Sequence, residues 1–195
     1  KDKFLEKLIE KTKQLIIGDP TKMETQIGAL ISQEHFEKVM GYIEIGINEG
    51  AKLHCGGKRF QSHKQAELNE GFFVEPTIFE EDNEEARIVK EEIFGPVMTV
   101  LTFKTEEEAI KKANDTIYGL AAGVFTNDLQ RGHRMVNQLE AGICWINNYN
   151  ITPVEIPFGP YKQSGFGKEN GLATIDAYTQ LKTVYVEMDK IDSPY

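Results

Sequence analysis

Three short apolar runs at a steady spacing constrain this chain more than any other feature. They are Val97-Met98-Thr99-Val100-Leu101, residues 121–125, and Ile143-Cys144-Trp145-Ile146. Continuous apolar runs of this length suit strands covered on both faces, as in parallel sheets. Between the first two, Thr105 with Glu108 three residues on matches a capping box that opens a helix through Ala113. Between the second and third, Asn127 is placed to cap a helix that turns Leu129, Met135, Val136 and Leu139 inward and stops at Gly142. Strand, helix, strand, helix, strand at this spacing predicts βαβ units with right-handed crossovers and a parallel sheet, hence an α/β fold.

The first hundred residues are less regular. Phe4, Leu5, Leu8, Ile9, Leu15 and Ile16 recur at helical spacing, with Asp2 placed to cap the start and Gly18 beyond the end. Gly18-Asp19-Pro20 is a stop and a turn. A second helix follows Ser32, with Phe36, Val39, Met40, Ile43 and Ile47 on one face, and ends at Gly50. Residues 51–55 read as a short strand closed by Gly56-Gly57, and residues 58–71 as a polar loop. Residues 72–79 resemble a strand whose second half Pro76 demotes to an edge or bend. Downstream, residues 147–171 break the rhythm with a Pro- and Gly-rich stretch that leaves the carboxyl end of a strand, where open α/β sheets place ligands. A short helix at 172–180 and a strand at 181–187 follow. That strand could pair outside the chain as easily as within it.

Composition removes several classes of function. The 195 residues carry 22 Lys plus Arg against 31 Asp plus Glu, a net charge of -9 without a basic stripe, which argues against a nucleic-acid partner. No apolar run approaches the roughly 18 residues of a membrane helix, so no membrane association is expected. Cys55 and Cys144 lie far apart, and His35, His54, His63 and His133 show no ligand spacing, so neither a disulfide framework nor a zinc site is expected. A reducing, cytoplasmic compartment fits. Lys1 in place of Met, running straight into a helical pattern, reads as part of something longer.

Local motifs leave the chemistry open. Gly165-Phe166-Gly167-Lys168-Glu169-Asn170-Gly171 lacks the spacing of a phosphate loop and does not directly follow a strand, so it reads as a sharp glycine turn rather than a nucleotide cradle. Cys144 could be a nucleophile, but a strand flanked by Ile143 and Trp145 is a setting that quiets a thiol. In Glu91-Glu92-Ile93-Phe94-Gly95-Pro96, a carboxylate pair and an aromatic precede an apolar strand, so the carboxylates either face a ligand or form a solvated acidic turn.

The same segment, extended to Val97, is similar to a signature stretch of the NAD(P)-dependent aldehyde dehydrogenases. So are residues 114–125 (NDTIYGLAAGVF), 141–147 (AGICWIN) and 157–171 (PFGPYKQSGFGKENG), with Gly18-Asp19-Pro20, residues 28–32 and residues 71–77 matching in family order. Residues 147–150 and 153–158 most resemble the family members acting on trimethylammonium aldehydes, the betaine aldehyde and 4-trimethylaminobutyraldehyde dehydrogenases. The resemblance implies a three-layer α/β fold with a mostly parallel sheet: residues 1–180 as the carboxyl-terminal part of a catalytic domain, and 181–195 as an oligomerisation strand and tail. It implies a parent enzyme, a homo-oligomer, that oxidises a small aldehyde to the carboxylic acid with NAD, NADP not being excluded. The family's Cys nucleophile, its water-activating Glu and its oxyanion Asn would lie upstream, leaving this chain inactive alone. A binding or assembly module of the same fold is the competing reading.

Residue by residue, the resemblance implies that Glu92 accepts hydrogen bonds from the nicotinamide-ribose hydroxyls and that Phe94 packs beside the nicotinamide. Tyr149 and Phe158 would line the aldehyde tunnel, their faces suited to a quaternary ammonium at about 0.5–2 kcal/mol. Glu169 matches a buried glutamate near that tunnel, a candidate proton relay. Backbone carbonyls at Lys162 and Gly165 match a potassium site of some betaine-aldehyde enzymes. Two departures stand out: Gly28-Ala29 where the family usually has Gly-Pro, and Gly159-Pro160 where it usually has Gly-Gly, the second placing the tunnel wall and the substrate class in question.

Overall fold

The computed structural model describes residues 1–62 and 65–191. His63, one of the histidines not expected to bind a metal, therefore lies outside the described residues, as do the last four positions of the proposed terminal segment. The chain divides into two compact units, Lys1–Lys104 and a second beginning at Thr105.

In the first unit, helix α1 spans Asp2–Lys13 and helix α2 spans Gln33–Asn48. Helix α1 stops earlier than its apolar spacing predicts, because Ile16 and Ile17 turn to backbone pairing instead. The Ile16 carbonyl accepts from the Gln26 and Ile27 amides, and Gly18 donates to Ile27. Asp2 sits in the first turn rather than at the cap position, which Lys1 holds. The turn at Gly18-Asp19-Pro20 is fixed by the Asp19 carboxylate, which accepts from the amide and hydroxyl of Thr21. Helix α2 begins as predicted, with the Ser32 hydroxyl accepting from the His35 amide. Its buried face is Val39, Ile43 and Gly46, a spacing of four and three, while Ile47 is left half exposed. Gly46 leaves room for Ile88 and Phe79 to close on the helix backbone.

Strands β1 (Lys52–Cys55), β2 (Thr77–Glu80) and β3 (Val97–Val100) form a sheet in that order. Strands β1 and β2 are antiparallel, with a register irregularity between Leu53 and Cys55. Strands β2 and β3 are parallel, Thr77 opposite Val97, and are joined through the short helix α3 (Arg87–Lys90). The expectation that Pro76 weakens this segment is overturned. Pro76 precedes the first ladder residue, so its missing N–H costs nothing, and Thr77 donates to the Pro96 carbonyl. Strand β2 is central, with Thr77, Ile78 and Phe79 buried. The core gathers Val39, Ile43, Ala51, Val74, Phe79, Ala86, Ile88 and Ile93. The polar loop after β1 contains a 3₁₀ turn at Ala66–Glu70, tied down by paired hydrogen bonds between Ser62 and Asn69.

In the second unit, helix α4 (Glu106–Asn114) starts where the capping box predicts, the Thr105 hydroxyl accepting from the Glu108 amide. Strand β4 (Tyr118–Gly119), strand β5 (Ala121–Val124), helix α5 (Leu129–Val136) and strand β6 (Ile143–Ile146) follow. Strands β5 and β6 are parallel with α5 between them, the predicted βαβ unit. Two details differ. Asp128, not Asn127, caps α5 by accepting from the Arg131 amide. Leu129 is exposed, and Gly132 takes the buried position against Ile146. Among the described residues the ladders run β1-β2-β3 in the first unit and β4-β7 and β5-β6 in the second. Met98 and Phe125 are exposed, so those runs are covered on one side only.

Residues 147–171 are more ordered than a structureless loop. Strand β7 (Tyr161–Lys162) pairs antiparallel with β4, and Phe158 and Glu169 form a reciprocal bridge. Helix α6 covers Ala173–Tyr178. Residues 181–187, expected as a strand, join no ladder among the described residues and are exposed. No helix among the described residues is long and apolar enough to cross a membrane.

Candidate functional site

Residues 91–96 alternate between inward and outward positions, and this alternation assigns the two carboxylates opposite duties. Glu91 is engaged: it accepts from Arg87 Nε at 2.8 Å and Nη2 at 2.9 Å, and from the Tyr42 hydroxyl at 2.6 Å. The Arg87 guanidinium also lies over the Tyr42 ring. The Arg87 hydrogen bonds, then that of Tyr42, pull the Glu91 carboxyl down to about 2. Sharing the same proton-poor oxygens raises the Tyr42 phenol. Ile93 is buried in the core. Glu92 and Phe94 face out. Phe94 is 71% exposed and holds a φ of 58°, left-handed backbone that a non-glycine residue rarely adopts. No hydrogen bond or ion pair reaches the Glu92 carboxylate from the described residues, so its acceptor oxygens are open to a ligand.

His35, on the first turn of α2, holds the outward turn from below. Its Nε2 lies 2.7 Å from the Phe94 carbonyl, and its ring meets the Phe94 ring edge-on at 6.1 Å. Gly95 sits directly on Val39, where an added Cβ would fall 2.7 Å from a valine methyl. The resemblance singles out Glu92 and Phe94, the pair that faces outward. His35, Tyr42 and Arg87 escape a reading by motif, because His35 and Tyr42 lie on α2, 59 and 49 positions from their partners.

The second unit presents the other predicted residues. Tyr149 follows β6, its ring 5.0 Å from that of Trp145, whose indole N–H donates to the Ile151 carbonyl at 2.8 Å. Phe158 and Glu169 exchange backbone hydrogen bonds of 2.8 and 2.7 Å and together line an open cavity of about 490 Å³. Its walls include Pro160, Phe166 and Tyr178. Glu169 is exposed, which corrects its expected burial: the bridge fixes its backbone and leaves the side chain free. Tyr149 is not among the residues lining that cavity. Pro160 is, so the departure from Gly-Gly bears on its wall.

Lys162 holds a φ of 50°, and its ammonium donates to the Asn114 carbonyl at 2.7 Å and the Thr116 carbonyl at 3.1 Å while pairing with Glu140 at 2.6 Å. The cation seated on backbone carbonyls here is thus the lysine's own. Gly165 has a φ of 129° and packs beside Pro160. Neither cysteine is activated: burial raises the thiols of Cys55 and Cys144. No group of three or more His, Cys, Asp or Glu side chains among the described residues could hold a metal ion.

An α/β sheet, a turn that offers an acceptor carboxylate beside an exposed aromatic, and a downstream aromatic-lined cavity define a class that comparison with known proteins identifies. The model of the aldehyde dehydrogenase family matches residues 1–184, and the chain belongs to that family. Betaine aldehyde dehydrogenases from Brucella anthropi and Brucella ovis are each 54% identical to it over 195 residues, which is 100% of this chain and 39% of theirs. Among solved structures, betaine aldehyde dehydrogenase from Staphylococcus aureus in complex with NAD+ superposes with a TM-score of 0.86 at 38% identity, over 96% of this chain and 39% of that one. A point variant of the aldehyde dehydrogenase from Bacillus cereus gives a TM-score of 0.88 at 42% identity, over 96% and 37%. The chain thus spans about two fifths of the length of the curated relatives it matches.

Proposed function

We propose that this chain forms part of an NAD-dependent dehydrogenase that oxidises an aldehyde, of the trimethylammonium class, to its carboxylic acid. The observation that carries this reading is the outward presentation of Glu92 and Phe94 on a turn locked by Glu91, Ile93 and His35. An unpartnered carboxylate suits the paired hydroxyls of a ribose, which donate where Glu92 accepts. The exposed Phe94 ring offers a flat apolar face to a nicotinamide. The fit is supported by the NAD+ complex of the Staphylococcus aureus enzyme and by family membership. The cofactor, when bound, supplies the hydride acceptor; Glu92 and Phe94 orient its nicotinamide end. Water completes the reaction: aldehyde, water and NAD+ give acid, NADH and a proton, with hydrolysis of a thioester on a family cysteine that is neither Cys55 nor Cys144.

On the substrate side, Tyr149 and Phe158 supply aromatic faces, and Glu169 stands at a cavity mouth where it can accept a proton or face a cation. A quaternary ammonium gains about 0.5–2 kcal/mol from such faces. The 54% identity to betaine aldehyde dehydrogenases supports this class. Residues 181–195 are read as a segment that pairs with another copy in a homo-oligomer, and the compartment as cytoplasmic.

The test is to express the reading frame containing this chain at the full length of its relatives and compare betaine aldehyde with hexanal. A kcat/KM advantage of about tenfold or more for the quaternary substrate is expected; equal values remove the substrate class. In the same protein, Glu92→Gln is expected to lower kcat or raise the KM for NAD about tenfold through lost orientation. Unchanged values for both would remove Glu92 from the cofactor site.

A further inference from the structure

The turn that carries Phe94 is held in an unfavourable conformation by contacts from α2, of which the polar one, from His35, is left unused by the reaction scheme. Phe94 has left-handed backbone, which is strained for a non-glycine residue and persists only where the surroundings over-determine it. Its ring cannot supply that restraint, being 71% exposed. The restraint comes from α2. Val39 closes against Gly95 on one side of Phe94, and one helical turn earlier His35 reaches the Phe94 carbonyl. A carbonyl only accepts, so His35 Nε2 carries the hydrogen and donates it. The Ser32 cap fixes the His35 backbone in turn.

We infer that His35 is a positioning residue of the cofactor site, setting the direction of the Phe94 ring by donating from Nε2 to the Phe94 carbonyl. This rests on the reading that Phe94 faces the nicotinamide. The chain of contacts is short and directional. The Ser32 cap places His35, His35 clamps the peptide, and the peptide's left-handed φ turns the ring outward beside Glu92. Loss of the clamp releases the strained backbone into its ordinary region and swings the ring away. The helix core at Val39 and Ile43 stays intact, because His35 is itself only half-buried.

The experiment uses the full-length enzyme and three variants. His35→Leu keeps the bulk and removes the donor; His35→Gln restores an amide donor at similar reach; Phe94→Ala removes the positioned ring. Expected for His35→Leu is a fall in kcat of about tenfold, the size of effect misplacement produces, with the aldehyde KM and the melting temperature little changed. His35→Gln is expected to recover to within about threefold of the parent. In the Phe94→Ala background, His35→Leu is expected to add nothing, since it acts through that residue. A folded His35→Leu enzyme with unchanged kcat and NAD affinity, in a protein that Phe94→Ala impairs, overturns the clamp and leaves the site reading standing. Failure of His35→Gln to recover overturns it as well. Unchanged kinetics in Phe94→Ala overturn both. If His35→Leu does not fold, His35→Asn, polar but too short to reach, takes its place with the same expected loss.

Discussion

At Glu91, hydrogen bonds from Arg87 and Tyr42 hold the carboxyl at about 2, against an ordinary value of 4.5. A depressed carboxyl stabilises the fold above its unfolded pKa, and that contribution is lost as pH falls from about 4.5 through about 2. Arg87→Met removes the larger of the two causes. The Glu91 carboxyl is then expected to titrate closer to 4.5, and acid unfolding to begin at higher pH. Carbon-detected NMR titration of the carboxyl checks the first, and circular dichroism against pH the second; an unmoved titration would show that Tyr42 alone sets the value. The neighbouring Glu92 has no such partners among the described residues. Two identical side chains in sequence thus serve different ends, one building the turn and the other offered by it. The cysteines carry a related expectation. Burial raises both thiols, so iodoacetamide is expected to label Cys55 and Cys144 slowly near pH 7. Rapid labelling at Cys144 would revive it as a nucleophile.

Elements are joined in this molecule at glycines, and their neighbours decide what a methyl group does. Gly142, just before β6, has no room. A Cβ there would fall 1.7 Å from the Gly159 carbonyl oxygen, a backbone atom that cannot step aside. Gly142→Ala is expected to destabilise the second unit by about 3 kcal/mol and to displace the Phe158 segment. Gly41, in the middle of α2, has nothing within 4 Å of the same added atom. Gly41→Ala is expected to stabilise by about 0.5–1 kcal/mol, through helix propensity and a less floppy unfolded chain. Denaturant unfolding of the two variants should move the midpoint in opposite directions; movement in the same direction would contradict the packing described. The helices were legible because Ser32 and Thr105 cap them by local hydrogen bonds that their own spacing dictates. The pairing of β3 with β2 was not, since it joins strands twenty positions apart. The Pro76 signal, read locally, pointed away from it.

Among the described residues much apolar surface is uncovered: Met23, Ile31, Phe166 and Leu181 are each more than 90% exposed, and Val184, Tyr185, Val186 and Met188 are exposed on a segment that joins no ladder with the described residues. Contiguous apolar surface in water favours association. The 195-residue chain by itself is therefore expected to self-associate, with light scattering after size exclusion giving a mass above 22.1 kDa. A stable monomer at tens of micromolar would show that this surface is tolerated by water. The same isolated chain is expected to produce no NADH from aldehyde and NAD+, because neither of its thiols is activated.

What the sequence by itself determined is everything that depends on near neighbours. The starts of α2 and α4 at Ser32 and Thr105, and the βαβ order of β5, α5 and β6, follow from spacing and local hydrogen bonding, whereas Glu92 and Phe94 were singled out by resemblance to the family. Family membership was readable for the same reason, as ordered short motifs. What only the tertiary structure decided are the partners met across long stretches of chain. Phe94 meets His35 across 59 positions and Glu91 meets Tyr42 across 49, and a bridge with Phe158 fixes the Glu169 backbone beside the cavity. Residue type shows what a side chain can accept or donate, but only folding brings the second group within hydrogen-bonding distance.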